Sequence, residues 1–191
     1  MKEVFEGAVE AAVTRFRRGV RLFAQDEARL GLHEGMMRRC LSAFGVKPLQ
    51  AVNPRYEYYW LFGAVEPLTG ESLFLEMPAL DTACFQAYLN EFSAAYPDSL
   101  NVLITDGAPA HTAKRLRVPD NVLLVRLPPY SPELNPVERL WQDLRKWLGS
   151  ELPASLGTLK ERVGEILRSY SHETLASITG YEYITQIAQS V

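Results

Sequence analysis

Three acidic residues stand where folding could bring their carboxylates together. Asp26 follows a short apolar strand predicted at residues 20–24, and Asp106 follows another at 101–105. Glu138 comes three residues after Asn135, at the predicted start of an amphipathic helix. In open α/β sheets, ligands bind outside the carboxyl ends of the strands. If the two strands are neighbours, Asp26 and Asp106 lie side by side there and repel each other unless a cation is present.

This all-carboxylate set favours one kind of metal chemistry. Hard oxygen ligands suit Mg²⁺ or Mn²⁺, with water and substrate phosphate completing the coordination shell. Two such ions about 3.5–4 Å apart can activate a water or hydroxyl group and stabilise the leaving oxygen of a phosphoryl transfer. The sequence has no cysteine and histidine cluster with zinc spacing. It also lacks a glycine-rich phosphate loop, which argues against a nucleotide triphosphatase.

Each acidic residue also has an ordinary structural interpretation. Asp106-Gly107 is a typical turn dipeptide, and Asp26 could serve a turn or a cap in the same way. Asn135 and Glu138 have the spacing of a capping box, in which the glutamate accepts a hydrogen bond from the N–H of the cap residue. Glu133 competes with Glu138 as the third carboxylate. The residue pattern by itself leaves these alternatives open.

A proline-rich loop and the helix after it would position Glu138. Asn135 is a good N-cap because its side chain can accept from free backbone N–H groups. Pro136 suits the first helical position, where its missing N–H costs nothing. The helix is predicted to bury one apolar stripe. The residues of this stripe are Val137, Leu140, Trp141, Leu144 and Leu148.

The other elements predict an α/β fold. Residues 56–65 and 71–77 flank a Pro-Gly turn and predict a β-hairpin. Asp81 is a candidate cap for a helix that runs through Ala95. Antiparallel strands followed by parallel strands with crossover helices give a mixed sheet with helices on both faces. Further predictions are strands at 38–42 and 121–127 and helices at 4–18, 155–170 and 171–179, with a short helix that ends near Arg117.

Composition bounds the class of protein. The 191 residues suit one domain, and the net charge of −3 excludes a protein coated in basic charge while allowing a local basic groove. No apolar run approaches the roughly 20 residues of a membrane span. The N-terminus lacks a signal peptide's apolar segment, so we expect an intracellular protein with no membrane partner. Cys40 and Cys84 lie far apart and are predicted to be buried free thiols.

Three blocks of this sequence resemble the catalytic blocks of mariner-type DDE transposases, and most closely those of the bacterial insertion-sequence branch. The blocks are Gln25–Glu27, Thr105–His111 and Pro128–Trp141, of which the third is long and highly specific. The resemblance implies an RNase-H-like fold, metal-dependent DNA cleavage, and transfer of the 3′-hydroxyl into target DNA, typically at a TA step. By this resemblance, Asp26, Asp106 and Glu138 are the catalytic residues and bind Mg²⁺ or Mn²⁺, with two ions expected. The resemblance favours Glu138 over Glu133 as the third carboxylate.

The resemblance also implies an organisation for the chain. It covers about residues 20–150, so we expect a single RNase-H-like catalytic domain over 1–191 with its core there and a C-terminal helical extension at 151–191. The implied partners are transposon-end and target DNA, together with a second copy of the chain as a homodimer. A protein of this kind is expected in the bacterial cytoplasm, associated with the nucleoid.

Several residues are candidates for DNA contact. Arg38 and Arg39 belong to a basic pair, and Arg139 follows Glu138, although Arg139 could instead pair with a nearby acid. By resemblance, His111 is a residue that contacts substrate or supports the metal ligands. Its alternative is an ordinary histidine at a helix start.

The chain departs from the family pattern in places. Between Asp106 and Glu138 lie 31 residues, slightly fewer than is usual for the family, and Gly107 stands where the family often has asparagine. The sequence shows no N-terminal helix-turn-helix pair, which family members use to find transposon ends, so it looks like the catalytic half only. Two other hypotheses stay open: a nuclease of the same fold that cuts without joining, and a non-catalytic DNA-binding or assembly module derived from a transposase. Joined DNA products would distinguish a transposase from such a nuclease.

Overall fold

A five-stranded mixed sheet forms the centre of the protein. The computed structural model describes residues 19–32, 55–128, 134–149 and 153–189. The strands are β1 (Val20–Gly31), β2 (Tyr58–Val65), β3 (Ser72–Met77), β4 (Leu100–Thr105) and β5 (Val122–Arg126). The helices are α1 (Thr82–Ala95), α2 (Pro109–Thr112), α3 (Val137–Leu148), α4 (Leu156–Ser169), α5 (His172–Thr179) and α6 (Glu182–Gln189). The helix predicted at 4–18, the strand predicted at 38–42, and Cys40 lie outside the described residues.

The strand order is β3-β2-β1-β4-β5. Strand β1 pairs antiparallel with β2, which pairs antiparallel with β3. On its other side β1 pairs parallel with β4, and β4 pairs parallel with β5. This arrangement confirms the predicted mixed sheet, because the hairpin supplies the antiparallel half and the crossover connections supply the parallel half.

Strand β1 corrects one prediction. A strand over residues 20–24 was expected, with Asp26 after its end, but β1 continues to Gly31 and Asp26 lies within it. The reason is that β2 pairs with β1 from Ala24 to Gly31, so hydrogen bonding on that side continues past Asp26. The parallel partner β4 ends at Thr105. Asp26 therefore lies where β1 is still paired with β2 but no longer paired with β4.

Helices cover both faces of the sheet, as predicted. On one face α1 buries Phe85, Tyr88 and Phe92 against Phe23 and Phe62 of the central strands. Each fully buried side chain of this size contributes about 1.5–3 kcal/mol of hydrophobic stabilisation. The opposite face is covered by α3, α4 and α5 beside β1 and β2, and by α6 beside β4. Their buried apolar residues include Leu140, Trp141, Leu144, Leu159, Val163, Leu175 and Ile184.

Most remaining predictions are confirmed with small shifts. Asp81 caps α1, its Oδ1 accepting from the Cys84 N–H at 2.8 Å. The predicted stripe of α3 is buried throughout. The short helix ends at Thr112, before Arg117. Cys84 is a free thiol, partly rather than fully buried. Within the described ranges, no helix is long and apolar enough to cross a membrane.

Helix α6 was not predicted. Its Ile184 side chain is buried and packs against Leu22, Val102 and Ile104. Isolated helices of this length are marginal in water, so tertiary packing stabilises this one.

Gly63 allows α3 to approach the sheet beside Asp26. It is the β2 residue paired with Asp26 on β1. A Cβ placed at Gly63 would lie 2.6 Å from Cη2 of Trp141 and 2.8 Å from Cδ1 of Phe74. Both rings are held in the core, so neither can move away cheaply.

We expect Gly63→Ala to lower the free energy of unfolding by about 1–3 kcal/mol, because the added methyl group overpacks this contact. Denaturant unfolding measures the change. Gly157→Ala is the control, since its Cβ would meet only Ser155 Oγ at an ordinary 3.6 Å. The control should leave stability unchanged or slightly higher. Equal stability of Gly63→Ala and the unmodified chain would contradict the close packing.

Candidate active site

Asp26 is a partly buried carboxylate held by the core helix α3. Its Oδ2 accepts a hydrogen bond from the Trp141 indole Nε1–H at 3.0 Å. Burial raises the pKa of Asp26 well above its ordinary value, and the Glu27 and Glu138 carboxylates raise it further, against a lowering by the Trp141 N–H. Asp26 and Glu138 are therefore near enough to repel each other. A cation between them would relieve that repulsion.

Asn135 fixes the start of α3 against β1. Its Oδ1 accepts from the Val137 N–H at 3.2 Å, and its Nδ2 donates to the Gln25 carbonyl at 2.9 Å. Asn135 thus caps the helix as predicted, although the helix begins at Val137 and not at Pro136, a shift of one residue. The side chain also ties the helix to the residue that precedes Asp26.

Glu138 lies in the first turn of α3 and is partly exposed. In the part of the chain that the structure describes, no hydrogen bond joins its carboxylate to the Asn135 N–H, so the capping-box alternative is not formed. Its competitor Glu133 lies outside the described residues.

Asp106 follows the last residue of β4. Ala24 pairs with Ile104 across the parallel strands, and continuing this register by two residues puts Asp106 level with Asp26. The Asp106 Oδ1 accepts from the Ala108 N–H at 2.9 Å and lies 2.8 Å from His111 Nδ1. The predicted turn role is therefore present. It does not exclude a ligand role, because the side chain is 52% exposed and both contacts use the same oxygen.

His111 lies buried behind Asp106, with 2% of its surface exposed. Its Nε2 is 2.9 Å from Glu27 Oε1, and Glu27 also accepts from Gln25 Nε2 at 2.7 Å. Burial lowers the pKa of His111, but the hydrogen bond and charge of Glu27, together with Asp106, outweigh it and leave the pKa raised. That His111 contacts DNA stays a prediction. Its burial favours a role in supporting Asp106 over direct contact with substrate.

Two roles in this site were not predicted from the sequence. Glu27 contacts His111, and Trp141 donates a hydrogen bond to Asp26. The signal for Glu27 is strand alternation: Gln25 and Glu27 must point to the face opposite Asp26. A glutamate directed into that apolar face requires a cationic or N–H partner, and His111 is one. The apolar stripe predicts Trp141 in the core, where its ring does pack. The signal for its second role is that a buried indole N–H needs a hydrogen-bond acceptor.

Arg139 is exposed beside Glu138 and contacts the C-terminal segment. Its guanidinium carbon lies 3.8 Å from the centre of the Tyr181 ring. Nearby, the Tyr183 hydroxyl donates to the Leu134 carbonyl. Among the described residues Arg139 forms no ion pair with an acid, so stacking on tyrosine replaces the predicted alternative. The other two candidates for DNA contact, Arg38 and Arg39, lie outside those residues.

The acidic residues fit a divalent cation by chemistry. They supply only oxygen donors. Burial and, to a smaller extent, the charges of Glu27 and Glu138 raise the pKa of Asp26, and a bound cation would offset those charges. Over the described ranges, however, no three acidic, histidine or cysteine side chains stand together as a ligand set. Asp26 and Glu138 are brought together, whereas Asp106 is directed toward His111.

Comparison with known proteins places the chain in a family. The model of the DDE superfamily endonuclease family matches residues 21–160. A protein of Sinorhizobium fredii, named uncharacterized protein y4pE/y4sA, is 44% identical over 95 residues, which are 49% of this chain and 70% of that protein.

Solved structures share the fold. The Mos1 transposase paired-end complex with the left transposon end matches 96% of this chain with a TM-score of 0.66 and 18% identity. The Mos1 strand transfer complex matches 97% with a TM-score of 0.68 and 17% identity. This likeness confirms the predicted RNase-H-like fold. The chain spans only 60% and 59% of the length of those two Mos1 chains.

Asp26→Asn is expected to stabilise the metal-free protein at neutral pH, by about 1.4 kcal/mol for each unit by which folding raises the pKa of Asp26. Because folding raises the pKa of Asp26, the ionised carboxylate destabilises the fold above that pKa. An asparagine oxygen can still accept from Trp141.

Urea unfolding at neutral and at acid pH measures this effect. The gain should vanish below the unfolded-state pKa, where Asp26 is protonated in both states. Asp98→Asn, at an exposed turn position, is the control and should change stability by less than about 0.5 kcal/mol. A loss of stability in Asp26→Asn at neutral pH would contradict a raised pKa of Asp26 in the folded protein.

Proposed function

Because the chain belongs to the DDE superfamily endonucleases, we propose that it is the catalytic domain of a DNA transposase. It would cleave phosphodiesters at transposon ends and transfer the freed 3′-hydroxyl into target DNA. The observation that supports this proposal most directly is the placement of Asp26 near Glu138, beside the end of β4, where Asp106 stands. Such crowding is costly in a folded protein unless it serves to bind a cation.

Asp26, Asp106 and Glu138 would hold Mg²⁺ or Mn²⁺, with two ions proposed. The Mos1 paired-end complex has been solved with Mn and with Mg, in structures that match this fold with TM-scores of 0.65 and 0.64. When bound, such ions would supply Lewis-acid activation of the attacking hydroxyl group and neutralise charge on the phosphate.

The contribution of the chain itself is to hold these carboxylates in place. Trp141 fixes one oxygen of Asp26, and Asn135 fixes the start of α3 on β1. The Ala108 N–H and His111 fix one oxygen of Asp106. Ligands restrained in this way need little rearrangement when a cation and a DNA phosphate arrive, and such restraint lowers the entropic cost of reaching the reactive geometry.

DNA is the proposed partner. The matched Mos1 structures include a complex with the left transposon end. With a net charge of −3 the chain must contact phosphates through a local basic surface, for which Arg38, Arg39 and Arg139 are the proposed residues. The proposal includes a homodimer that acts on paired ends and action in the bacterial cytoplasm at the nucleoid.

Asp106→Asn is expected to reduce metal-dependent DNA cleavage by at least about 100-fold, or roughly 2.7 kcal/mol of barrier. The assay uses the purified chain, a labelled transposon-end duplex, a target duplex, and Mg²⁺ or Mn²⁺. Asp98→Asn is the matched control and should cleave normally, and unfolding curves verify that both variants are folded. Undiminished cleavage by Asp106→Asn would contradict the assignment of Asp26, Asp106 and Glu138 as the catalytic residues.

The products of the same assay separate the alternatives. End DNA joined to the target supports a transposase. Cleavage without joining supports a nuclease of the same fold, and DNA binding without metal-dependent cleavage supports a non-catalytic module.

A further inference from the structure

A buried chain of hydrogen bonds runs from the interior of the sheet to Asp106. Gln25 Nε2 donates to Glu27 Oε1 at 2.7 Å, and the same oxygen lies 2.9 Å from His111 Nε2. On the other side of the imidazole, Nδ1 lies 2.8 Å from Asp106 Oδ1. We call the last three residues the Glu27–His111–Asp106 relay. Its inner side chains are 3% and 1% exposed, and its outer one is 52% exposed.

Polar groups converge on the two carboxylates of this relay. Both ring nitrogens of His111 face carboxylate oxygens, which act as hydrogen-bond acceptors. Gln25 likewise turns its N–H toward the Glu27 carboxylate and leaves its own buried oxygen without a partner among the described residues.

Fold stability does not account for the relay. A buried ion pair recovers little more than its desolvation cost, and apolar residues of similar volume often serve stability as well. The surroundings would suit an apolar residue, because the Phe85 ring lies 4.1 Å from the His111 ring. The turn after β4 does not require His111 either, since the Ala108 N–H already donates a hydrogen bond to Asp106 Oδ1.

The relay determines which oxygen of Asp106 is available. Oδ1 accepts a hydrogen bond from the Ala108 N–H and lies 2.8 Å from His111 Nδ1, which also lies 3.4 Å from the Asp106 backbone carbonyl oxygen. Within the described part of the chain Oδ2 accepts none, on a side chain that is half exposed. Asp106 is thereby held through one oxygen, while the other has no hydrogen bond among the described residues.

We propose that Glu27 and His111 are positioning residues that make Asp106 a one-oxygen ligand for the divalent cation. The inference rests on the proposed function, because it requires a cation at Asp106. Partners that orient a metal ligand from behind are a general requirement of metal sites, and their loss typically weakens metal affinity by about 10–100-fold. Glu27 acts on Asp106 only through His111.

The test compares Mn²⁺ binding by His111→Gln and Glu27→Gln with that of the unmodified chain. Calorimetry and the electron paramagnetic resonance of free Mn²⁺ give the Kd, with and without a transposon-end duplex. His172→Gln and Glu165→Gln are matched controls, since both residues are exposed on other helices. The relay variants should raise the Kd about 10–100-fold, and the controls should keep it within about twofold.

A second measurement separates positioning from a purely structural role. If the relay positions Asp106, raising the Mn²⁺ concentration should restore cleavage by the relay variants, because affinity and not folding is reduced. An unchanged Kd in both relay variants, with the unmodified chain binding Mn²⁺, overturns this inference and leaves the proposed function intact. Absence of both Mn²⁺ binding and cleavage in the unmodified chain overturns the proposed function, and this inference with it.

Discussion

Repulsion among carboxylates gathered at one edge of a sheet is the constraint on which the rest of this structure depends. Burial raises the pKa of Asp26, and the neighbouring carboxylates of Glu27 and Glu138 raise it further. A folded chain tolerates such a group only if each carboxylate has a donor of its own or a cation to share. The partners provided are the indole N–H of Trp141 for Asp26 and the imidazole of His111 for Glu27.

The pleat of β1 separates these charges. Asp26 points to the face covered by α3, and Glu27 points to the face covered by α1 and α2, so consecutive acids sit in different environments. The mixed pairing of β1 makes this possible. Its antiparallel partner β2 continues past the end of β4, so Asp26 keeps a regular backbone while its parallel side opens to the site.

The site and the core share residues, which couples stability to function. Trp141 is fully buried and also donates to Asp26, and Gly63 is the residue whose missing side chain makes room for its ring. Asn135 caps α3 and at the same time holds it to β1. A substitution that loosens the packing of α3 therefore also displaces the carboxylates of Asp26 and Glu138.

The sequence by itself determined the local elements and the candidate acids. Apolar periodicity located the hairpin, the parallel strands and the buried stripe of α3, because burial on one or both faces imposes those periods. The three resembling blocks marked Asp26, Asp106 and Glu138. Local pattern could not set the end of β1, because the strand continues past its polar residues only through pairing with β2. Nor could it find α6, which depends on packing against β1 and β4. Only the tertiary structure brought Glu27 to His111, 84 positions apart in sequence, and so decided which atoms hold Asp106.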